Sequence, residues 1–139
     1  MQRKFLFTTR SHATRKQMLI NKCTYSSTAY ETVKLNFYKI TDAEEKVDKH
    51  ETPLLVVHGL LGSALNYHTM MKKELTFEGA NNLLKQGKRQ CIVPDVRNHG
   101  NSPWHSSMNY DDLSADMLRL LDEQGINEAI VMGHSMGAK

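Results

Sequence analysis

The chain lacks the features that mark several classes of protein. It has only two cysteines, Cys23 and Cys91, which provide no disulfide framework, so we expect both to be free thiols in a reducing compartment. No apolar run approaches the roughly 20 residues that a membrane-spanning helix needs, so we expect no transmembrane segment. With 139 residues, the chain has room for one domain at most.

Acidic residues are missing from the first 30 positions. Six of the 18 Lys and Arg residues lie there, which leaves 12 basic against 15 acidic residues in the rest of the chain. A basic, acid-free segment rich in Ser and Thr is typical of a mitochondrial transit peptide, whereas a secretory signal needs an uninterrupted apolar core. We therefore predict a transit peptide over residues 1–29 and a mitochondrial location, in the matrix; a disordered basic tail is the alternative. Because the positive charge is confined to this segment, we expect no nucleic-acid partner for the folded body.

From residue 30 onward, the apolar pattern predicts strands that alternate with helices. Val33, Leu35 and Phe37 alternate as in a half-buried strand over residues 33–40. Short continuous apolar runs are typical of strands buried on both faces, and they occur at 53–57, 90–95 and 128–133. Buried strands separated by helices favour the α/β class, with a mostly parallel sheet and helices on both faces. The carboxyl ends of such strands share one edge, where ligands bind.

Two regions have the periodicity of helices. Residues 109–125 form the clearer one, with Asn109 as the N-cap and Gly125 as the terminator. Its apolar stripe comprises Tyr110, Leu113, Met117, Leu120 and Leu121. Residues 64–90 form the other, in which we expect Gly79 to interrupt the helix and Gly87 to end a second short helix. The helically spaced apolar residues of this region are Tyr67, Met70, Met71 and Leu75.

The last predicted strand ends in a serine between two glycines, in Gly133-His134-Ser135-Met136-Gly137. G-x-S-x-G after a strand is the form of a nucleophile elbow, in which the serine occupies a strained turn between strand and helix. Side chains two positions before and after the serine would collide across that turn, so both positions need glycine. A helix that follows would aim backbone N–H groups at a developing oxyanion. The alternative is a small-residue turn without reactivity.

Three motifs together carry a resemblance to a known family. "HGLLGS" (58–63), "DVRNHGNSP" (95–103) and "GHSMGAK" (133–139) lie at the ends of the predicted buried strands. In this order and spacing they resemble the α/β-hydrolase superfamily, and more narrowly the subfamily of abhydrolase domain-containing protein 11 and the yeast mitochondrial ethanol acetyltransferases. The resemblance covers residues 33–139. It implies a serine esterase, thioesterase or alcohol acyltransferase that acts on a small-molecule acyl ester or thioester, without a cofactor or a metal.

The resemblance also implies a role for each site residue. Ser135 is the nucleophile, and the backbone N–H groups of Leu60 and Met136 form the oxyanion hole. The residues that shape the elbow and the preceding loop are His58, Gly59, Gly133, His134 and Gly137. His58 could also be interpreted as a catalytic base, but we favour the loop-shaping role. An epoxide- or haloalkane-cleaving relative is disfavoured, because those proteins carry Asp where this chain has Ser135.

Asp95, Arg97 and His99 resemble members of a catalytic triad at first sight. In α/β-hydrolases the order along the chain is serine, acid, histidine, so residues that precede Ser135 are poor candidates, and we expect all three to serve the structure. By the family pattern, the acid and the histidine lie on later strands. We therefore expect residues 30–139 to be the N-terminal part of an incomplete α/β-hydrolase domain, and the 139-residue chain to be inactive by itself.

Two classes of function outside the hydrolases stay open. A parallel sheet with glycine-rich turns could bind a nucleotide, although "GLLGS" is not G-x-G-x-x-G and "GHSMGAK" lacks the spacing of a P-loop. The other class is a non-catalytic fragment that binds a partner or misfolds, because a half-built sheet exposes an unpaired strand edge and uncovered apolar faces.

Overall fold

The computed structural model of the protein describes residues 4–7, 18–19, 30–40, 51–76 and 89–139. Its strands are β1 (Lys4–Phe7), β2 (Met18–Leu19), β3 (Phe37–Ile40), β4 (Leu54–Val57), β5 (Cys91–Pro94) and β6 (Glu128–Gly133). Its helices are α1 (Ala64–Thr76), α2 (Tyr110–Glu123) and a short 3₁₀ helix over Ser135–Ala138.

The sheet places the three strands predicted to be buried next to one another. Its order is β2-β1-β6-β4-β5-β3, and β4 pairs in parallel with both β5 and β6. β1 runs parallel to β6 on the far side, whereas β2 and β3 are antiparallel to their neighbours. Consecutive parallel strands need a long crossover connection. The segment between β4 and β5 contains α1, and the segment between β5 and β6 contains α2. The α/β class is therefore confirmed, and the carboxyl ends of β4, β5 and β6 share one edge.

The core lies on both faces of the sheet, because successive side chains of a strand point to opposite sides. The cluster that includes residues of α2 consists of Leu35, Leu55, Val57, Ile92, Val96, Leu120, Leu121 and Ala129. The cluster that includes the first residue of α1 consists of Ile40, Leu54, Val56, Ala64, Cys91 and Val93. Fully burying one such aliphatic side chain stabilises the fold by about 1.5–3 kcal/mol. Both faces of the central strands are therefore fixed, and with them the positions of the loops that follow.

The predicted burial is right for β4 and β5 and wrong for β6. Every residue of β4 and β5 is buried, whereas in β6 only Ala129 is. Met132 and Gly133 extend past the last paired position of β1, which lies opposite Val131, and both are exposed. The strand that leads to the candidate serine therefore ends paired with β4 on one side only, and its last two residues are exposed to solvent.

The predicted strand over 33–40 is shorter than expected. β3 begins at Phe37, because the N–H of Asn36 donates to Ser102 Oγ at 2.8 Å instead of pairing with a strand. The predicted inward face is nevertheless right, since Val33, Leu35 and Phe37 all contact the cluster that includes residues of α2.

Both ends of α2 are as the sequence predicts. Asn109 Oδ1 accepts from the Asp112 N–H at 2.9 Å, and the Asp112 carboxylate accepts from the Asn109 N–H at 3.2 Å, which makes a capping box. Gly125 ends the helix with a φ of 67°. Of the predicted apolar stripe, only Tyr110 is wrong. It is the first residue of the helix, lies outside the core cluster and is half exposed.

The first helix predicted within residues 64–90 is α1, which begins at Ala64 and ends at Thr76. Tyr67 contacts the core cluster that includes the first residue of α1, as expected, whereas Met70 lies outside that cluster and is exposed. The side chains of Met71 and Leu75 lie outside the described residues, as do Gly79 and Gly87.

Two short strands are all that the structure describes of the predicted transit peptide. β1 pairs with β6 from Lys4 opposite Glu128 to Phe7 opposite Val131, and the rest of residues 1–29, including Cys23, lies outside the described residues. Cys91 is a free thiol, and burial raises its pKa to about 12, which makes it unreactive. Within the described ranges, no helix is long and apolar enough to cross a bilayer.

Candidate active site

Ser135 occupies a strained backbone position at the exposed end of β6. His134 is extended, with φ −120° and ψ 131°, and Ser135, the first residue of the 3₁₀ helix, then turns to a φ of 53°. A non-glycine residue in this left-handed region costs on the order of 1–3 kcal/mol and is concentrated at functional sites. The Ser135 side chain is exposed at the shared carboxyl edge of the sheet, so its hydroxyl is accessible to a ligand.

The two glycines around Ser135 are required by close contacts, although only one contact lies within the turn. A β-carbon on Gly133 would overlap the backbone of Gly137, which is the predicted collision across the turn. A β-carbon on Gly137 would instead lie 2.5 Å from the Val57 carbonyl oxygen and 2.7 Å from that of His58. The second glycine is thus required because the turn packs against the end of β4.

The loop of residues 58–63, which follows β4, lies against the serine turn. The Gly62 N–H donates to the Gly59 carbonyl at 3.0 Å, which closes a turn whose tip is Leu60 and Leu61. Leu61 has a φ of 62°, and Leu60 and Leu61 are 64% and 92% exposed. A β-carbon on Gly59 would lie 3.0 Å from the β-carbon of Ser135, so no side chain separates this loop from the serine.

Two backbone N–H groups at the carboxyl edge of the sheet are candidate donors to an oxyanion. Across the described ranges, the N–H groups of Leu60 and Met136 have no hydrogen-bond partner. One belongs to the tip of the loop after β4 and the other to the first turn of the 3₁₀ helix. Preorganised donors of this kind can stabilise the negative oxygen that forms when a nucleophile adds to a carbonyl group.

His58 is buried and both of its ring nitrogens are occupied. Nδ1 lies 2.8 Å from the Gly59 carbonyl oxygen, which can only accept, so Nδ1 carries the proton and Nε2 accepts from the Val96 N–H at 3.1 Å. Burial, ahead of the other causes, lowers the pKa of His58 and favours the neutral ring. His58 therefore connects the loop after β4 to the loop after β5 and has no nitrogen available for Ser135.

Asp95 is a buried acceptor that joins three segments. Its carboxylate accepts from the Ala64 N–H at 2.7 Å, from the Asn101 N–H at 3.0 Å and from Asn36 Nδ2 at 3.1 Å. Gly100, with a φ of 52°, packs against the same carboxylate, where a β-carbon would overlap it. The structural role expected for Asp95 agrees with these contacts.

Arg97 forms a buried ion pair with Asp116, which was not anticipated from the sequence. Its Nε and Nη2 donate to the two carboxylate oxygens of Asp116 at 2.6 and 2.8 Å, and both side chains are fully buried. Further donations reach the carbonyls of Ser107 and Glu31. A sequence signal for Asp116 did exist, because an acidic residue lies at helical spacing between the apolar residues Leu113 and Leu120.

The chain matches known proteins over most of its length. Residues 52–139 match the family described as alpha/beta hydrolase fold. The chain is 36% identical over 88 residues to the sn-1-specific diacylglycerol lipase ABHD11 of Danio rerio, which covers 63% of this chain and 25% of that protein. It is 32% identical over 114 residues to a probable alcohol acetyltransferase of Saccharomyces cerevisiae, which covers 80% of this chain and 30% of that protein.

A solved structure of an esterase from a marine microorganism superimposes with a TM-score of 0.60 at 27% identity. The superposition covers 78% of this chain and 34% of the esterase. This chain thus spans a quarter to about a third of the length of the proteins it matches.

Proposed function

The chain belongs to the α/β-hydrolase fold family, and on that premise we propose that it carries the nucleophile and the oxyanion hole of a serine acyl hydrolase. The substrate class is a carboxylic ester or a thioester. The observation that carries the proposal is the left-handed backbone of Ser135, with a φ of 53°, at the carboxyl end of β6. The glycines on either side, Gly133 and Gly137, have no room for a side chain, as the fold of a nucleophile elbow requires.

In the proposed reaction, Ser135 Oγ attacks the carbonyl carbon of the substrate and gives its proton to a general base. The tetrahedral oxyanion accepts hydrogen bonds from the N–H groups of Leu60 and Met136. When the intermediate collapses, the alcohol or thiol leaves with the proton from the base, and the acyl group stays on Ser135 as an ester. Water then attacks the acyl-enzyme, releases the carboxylic acid and restores the hydroxyl.

In this proposal the general base follows Ser135 along the chain, in the order serine, acid, histidine of the fold, and residues 136–139 contain no histidine. Among the described histidines, none forms a hydrogen bond with Ser135, and the ring nitrogens of His58 and His99 are bonded elsewhere. An unactivated serine hydroxyl is a weak nucleophile. We therefore propose that residues 1–139 alone turn over no ester, and that a polypeptide that also supplies the base and its acid does.

Alcohol acyl transfer is a second candidate on the same acyl-enzyme. It is favoured by the 32% identity to a protein named a probable alcohol acetyltransferase, whereas the identity to a protein named a lipase favours hydrolysis. The two reactions differ only in whether water or an alcohol attacks the acyl group.

A product analysis tests the proposal and separates the two reactions. The experiment uses the polypeptide that also supplies the general base and its acid, called the full-length protein from here on. It is incubated with a nitrophenyl acetate in the presence of ethanol, and free acetate and ethyl acetate are both measured. We expect Ser135-dependent release of nitrophenol, with acetate as the main product for a hydrolase and ethyl acetate for an acyltransferase. Nitrophenol release that survives in Ser135→Ala contradicts both. Ser114→Ala, at an exposed serine of α2, is the matched control and should keep the activity.

We also propose that residues 1–29 direct the protein to the mitochondrial matrix. The proposal is supported by the absence of Asp and Glu before residue 31 and by six positive charges in that stretch. Such a basic segment is driven towards a compartment of negative potential.

A further inference from the structure

We propose that His99 is a positioning residue that holds the tip of the loop over residues 58–63, and with it the Leu60 N–H, in place beside Ser135. The role of Leu60 as an oxyanion donor rests on the proposed function, whereas the contact with His99 can be tested without it. His99 itself touches no reacting atom in this proposal.

The base of the loop is tied to the segment after β5 at both ends. At its start, His58 Nε2 accepts from the Val96 N–H at 3.1 Å. Just past its end, the Ala64 N–H donates to Asp95 at 2.7 Å. Both contacts are buried, so the two ends of the loop are fixed by the same few residues of the neighbouring segment.

The tip of the loop is exposed and strained. Leu60 and Leu61 are exposed, and Leu61 has a φ of 62°, a conformation that a leucine adopts only under constraint. Within the described part of the chain, Leu60 and Leu61 make one hydrogen bond to other residues: the Leu61 N–H donates to His99 Nε2 at 3.4 Å. His99 is therefore the anchor of this tip.

The ring of His99 is held in orientation by contacts other than its hydrogen bond with Leu61. Its Nδ1 lies 3.0 Å from the Arg97 carbonyl oxygen, so in the neutral ring the proton is on Nδ1 and Nε2 is an acceptor. The His99 ring also packs against that of His58, with 5.2 Å between their centroids. The acceptor thus points at the tip from a fixed position.

The orientation of the Leu60 N–H follows from these contacts. This N–H shares a planar peptide unit with the Gly59 carbonyl, and the two groups point in opposite directions. The carbonyl accepts from His58 Nδ1 and from the Gly62 N–H. The second of these bonds closes the turn that contains Leu61. Releasing Leu61 from His99 lets the strained turn relax, so the peptide plane loses one of its two supports.

Two substitutions in the full-length protein separate positioning from general stability. His99→Phe keeps a ring beside His58 but removes the acceptor, whereas His99→Gln keeps an acceptor at a similar reach. Amide hydrogen exchange of Leu61, measured by NMR, should accelerate roughly fivefold in His99→Phe, as expected for the loss of one neutral hydrogen bond, and return close to wild type in His99→Gln. Exchange in β4 and β5 should not change. Equal acceleration across the sheet, or none at Leu61, would overturn the positioning role.

Kinetics of the same variants test the consequence for catalysis. Removing a whole oxyanion donor costs about 10²–10³ in kcat, so misplacing one should lower kcat by about ten- to a hundredfold in His99→Phe, with KM little changed. His99→Gln should recover most of the loss. An unchanged kcat in a variant with faster Leu61 exchange overturns the link to the oxyanion hole. If the wild-type protein hydrolyses no ester, the proposed function fails, and the exchange measurement still decides whether His99 holds the loop.

Discussion

Gly59 and Ser135 touch across the gap between two strand ends. A β-carbon on Gly59 would lie 3.0 Å from the β-carbon of Ser135 and 3.0 Å from His134 Nδ1. This contact joins the loop after β4 to the turn after β6, and it sets how closely the Leu60 N–H can approach the serine. The site therefore depends on a position with no side chain.

Gly59→Ala should impair catalysis more than folding. The methyl group must displace the serine turn or the loop by a few tenths of an ångström, and misplacing reacting groups by about 1 Å can cost 10²-fold. We expect kcat to fall by about tenfold or more while the melting temperature changes little. Gly125→Ala is the control, because it strains a φ of 67° far from the site with open space around it. It should lower the melting temperature and leave kcat intact; the reverse pattern would contradict this role for Gly59.

The buried pair of Arg97 and Asp116 should be among the most sensitive positions for stability. Asp116→Asn removes the carboxylate that binds Arg97 through two hydrogen bonds and leaves only the more distant Asp112, at 3.5 Å, as a charged partner. Breaking a buried pair costs about 3–5 kcal/mol, and we expect a loss towards the lower end of that range. Urea unfolding measures the change. Glu123→Gln, which removes the exposed partner of Arg119, is the matched control and should cost no more than about 0.5 kcal/mol. Similar losses of unfolding free energy in the two variants would show that the buried pair contributes no more to stability than the exposed pair.

The sequence predicts a structural feature when the residues that cause it lie close together along the chain. The ends of α2 follow from Asn109 and Gly125, because caps act within a few residues. The strained turn at Ser135 likewise follows from its own flanking glycines. The ion pair between Arg97 and Asp116 does not, since its residues meet only after β5 and α2 have packed. The contact of Gly137 with the end of β4 is missed for the same reason, as is the exposed end of β6, which depends on where β1 stops.

The free energy of unfolding should fall as the pH drops below about 6.5, the ordinary pKa of a histidine. Burial lowers the pKa of His58 in the folded state, so the unfolded chain takes up the proton first. The neutral ring therefore contributes its full stability above about pH 6.5, and the contribution is lost as the pH falls towards the folded-state pKa. Asp112, whose pKa is lowered chiefly by the Ser107 hydroxyl, adds a further loss at more acidic pH.

Urea unfolding at pH 7.5 and 5.5 measures this dependence. His58→Gln keeps an acceptor for the Val96 N–H but cannot titrate, so the loss between the two pH values should be smaller than in the wild type. His105→Gln, at a histidine that pairs with the exposed Glu31, should keep the wild-type loss. An equal loss in His58→Gln and the wild type would contradict the assignment to His58.

The first 40 residues should suffice to import a reporter into mitochondria. Residues 1–30 carry six basic and no acidic residues, and import depends on that charge. Residues 1–40 fused to a fluorescent protein should give a mitochondrial signal and a shortened product. Replacing the six basic residues by Gln is the control and should abolish import. A diffuse cytosolic signal without shortening of the unaltered fusion would argue against a transit peptide.

The central claim, that Ser135 is an activated nucleophile in an elbow, is tested most directly by a fluorophosphonate probe. Such a probe forms a covalent bond only with an activated serine, and mass spectrometry of the labelled peptides then identifies the modified residue. In the full-length protein, we expect stoichiometric labelling at Ser135, its loss in Ser135→Ala, and unchanged labelling in Ser114→Ala. Labelling that persists in Ser135→Ala, or an unmodified Ser135 in a folded and complete protein, would contradict the account.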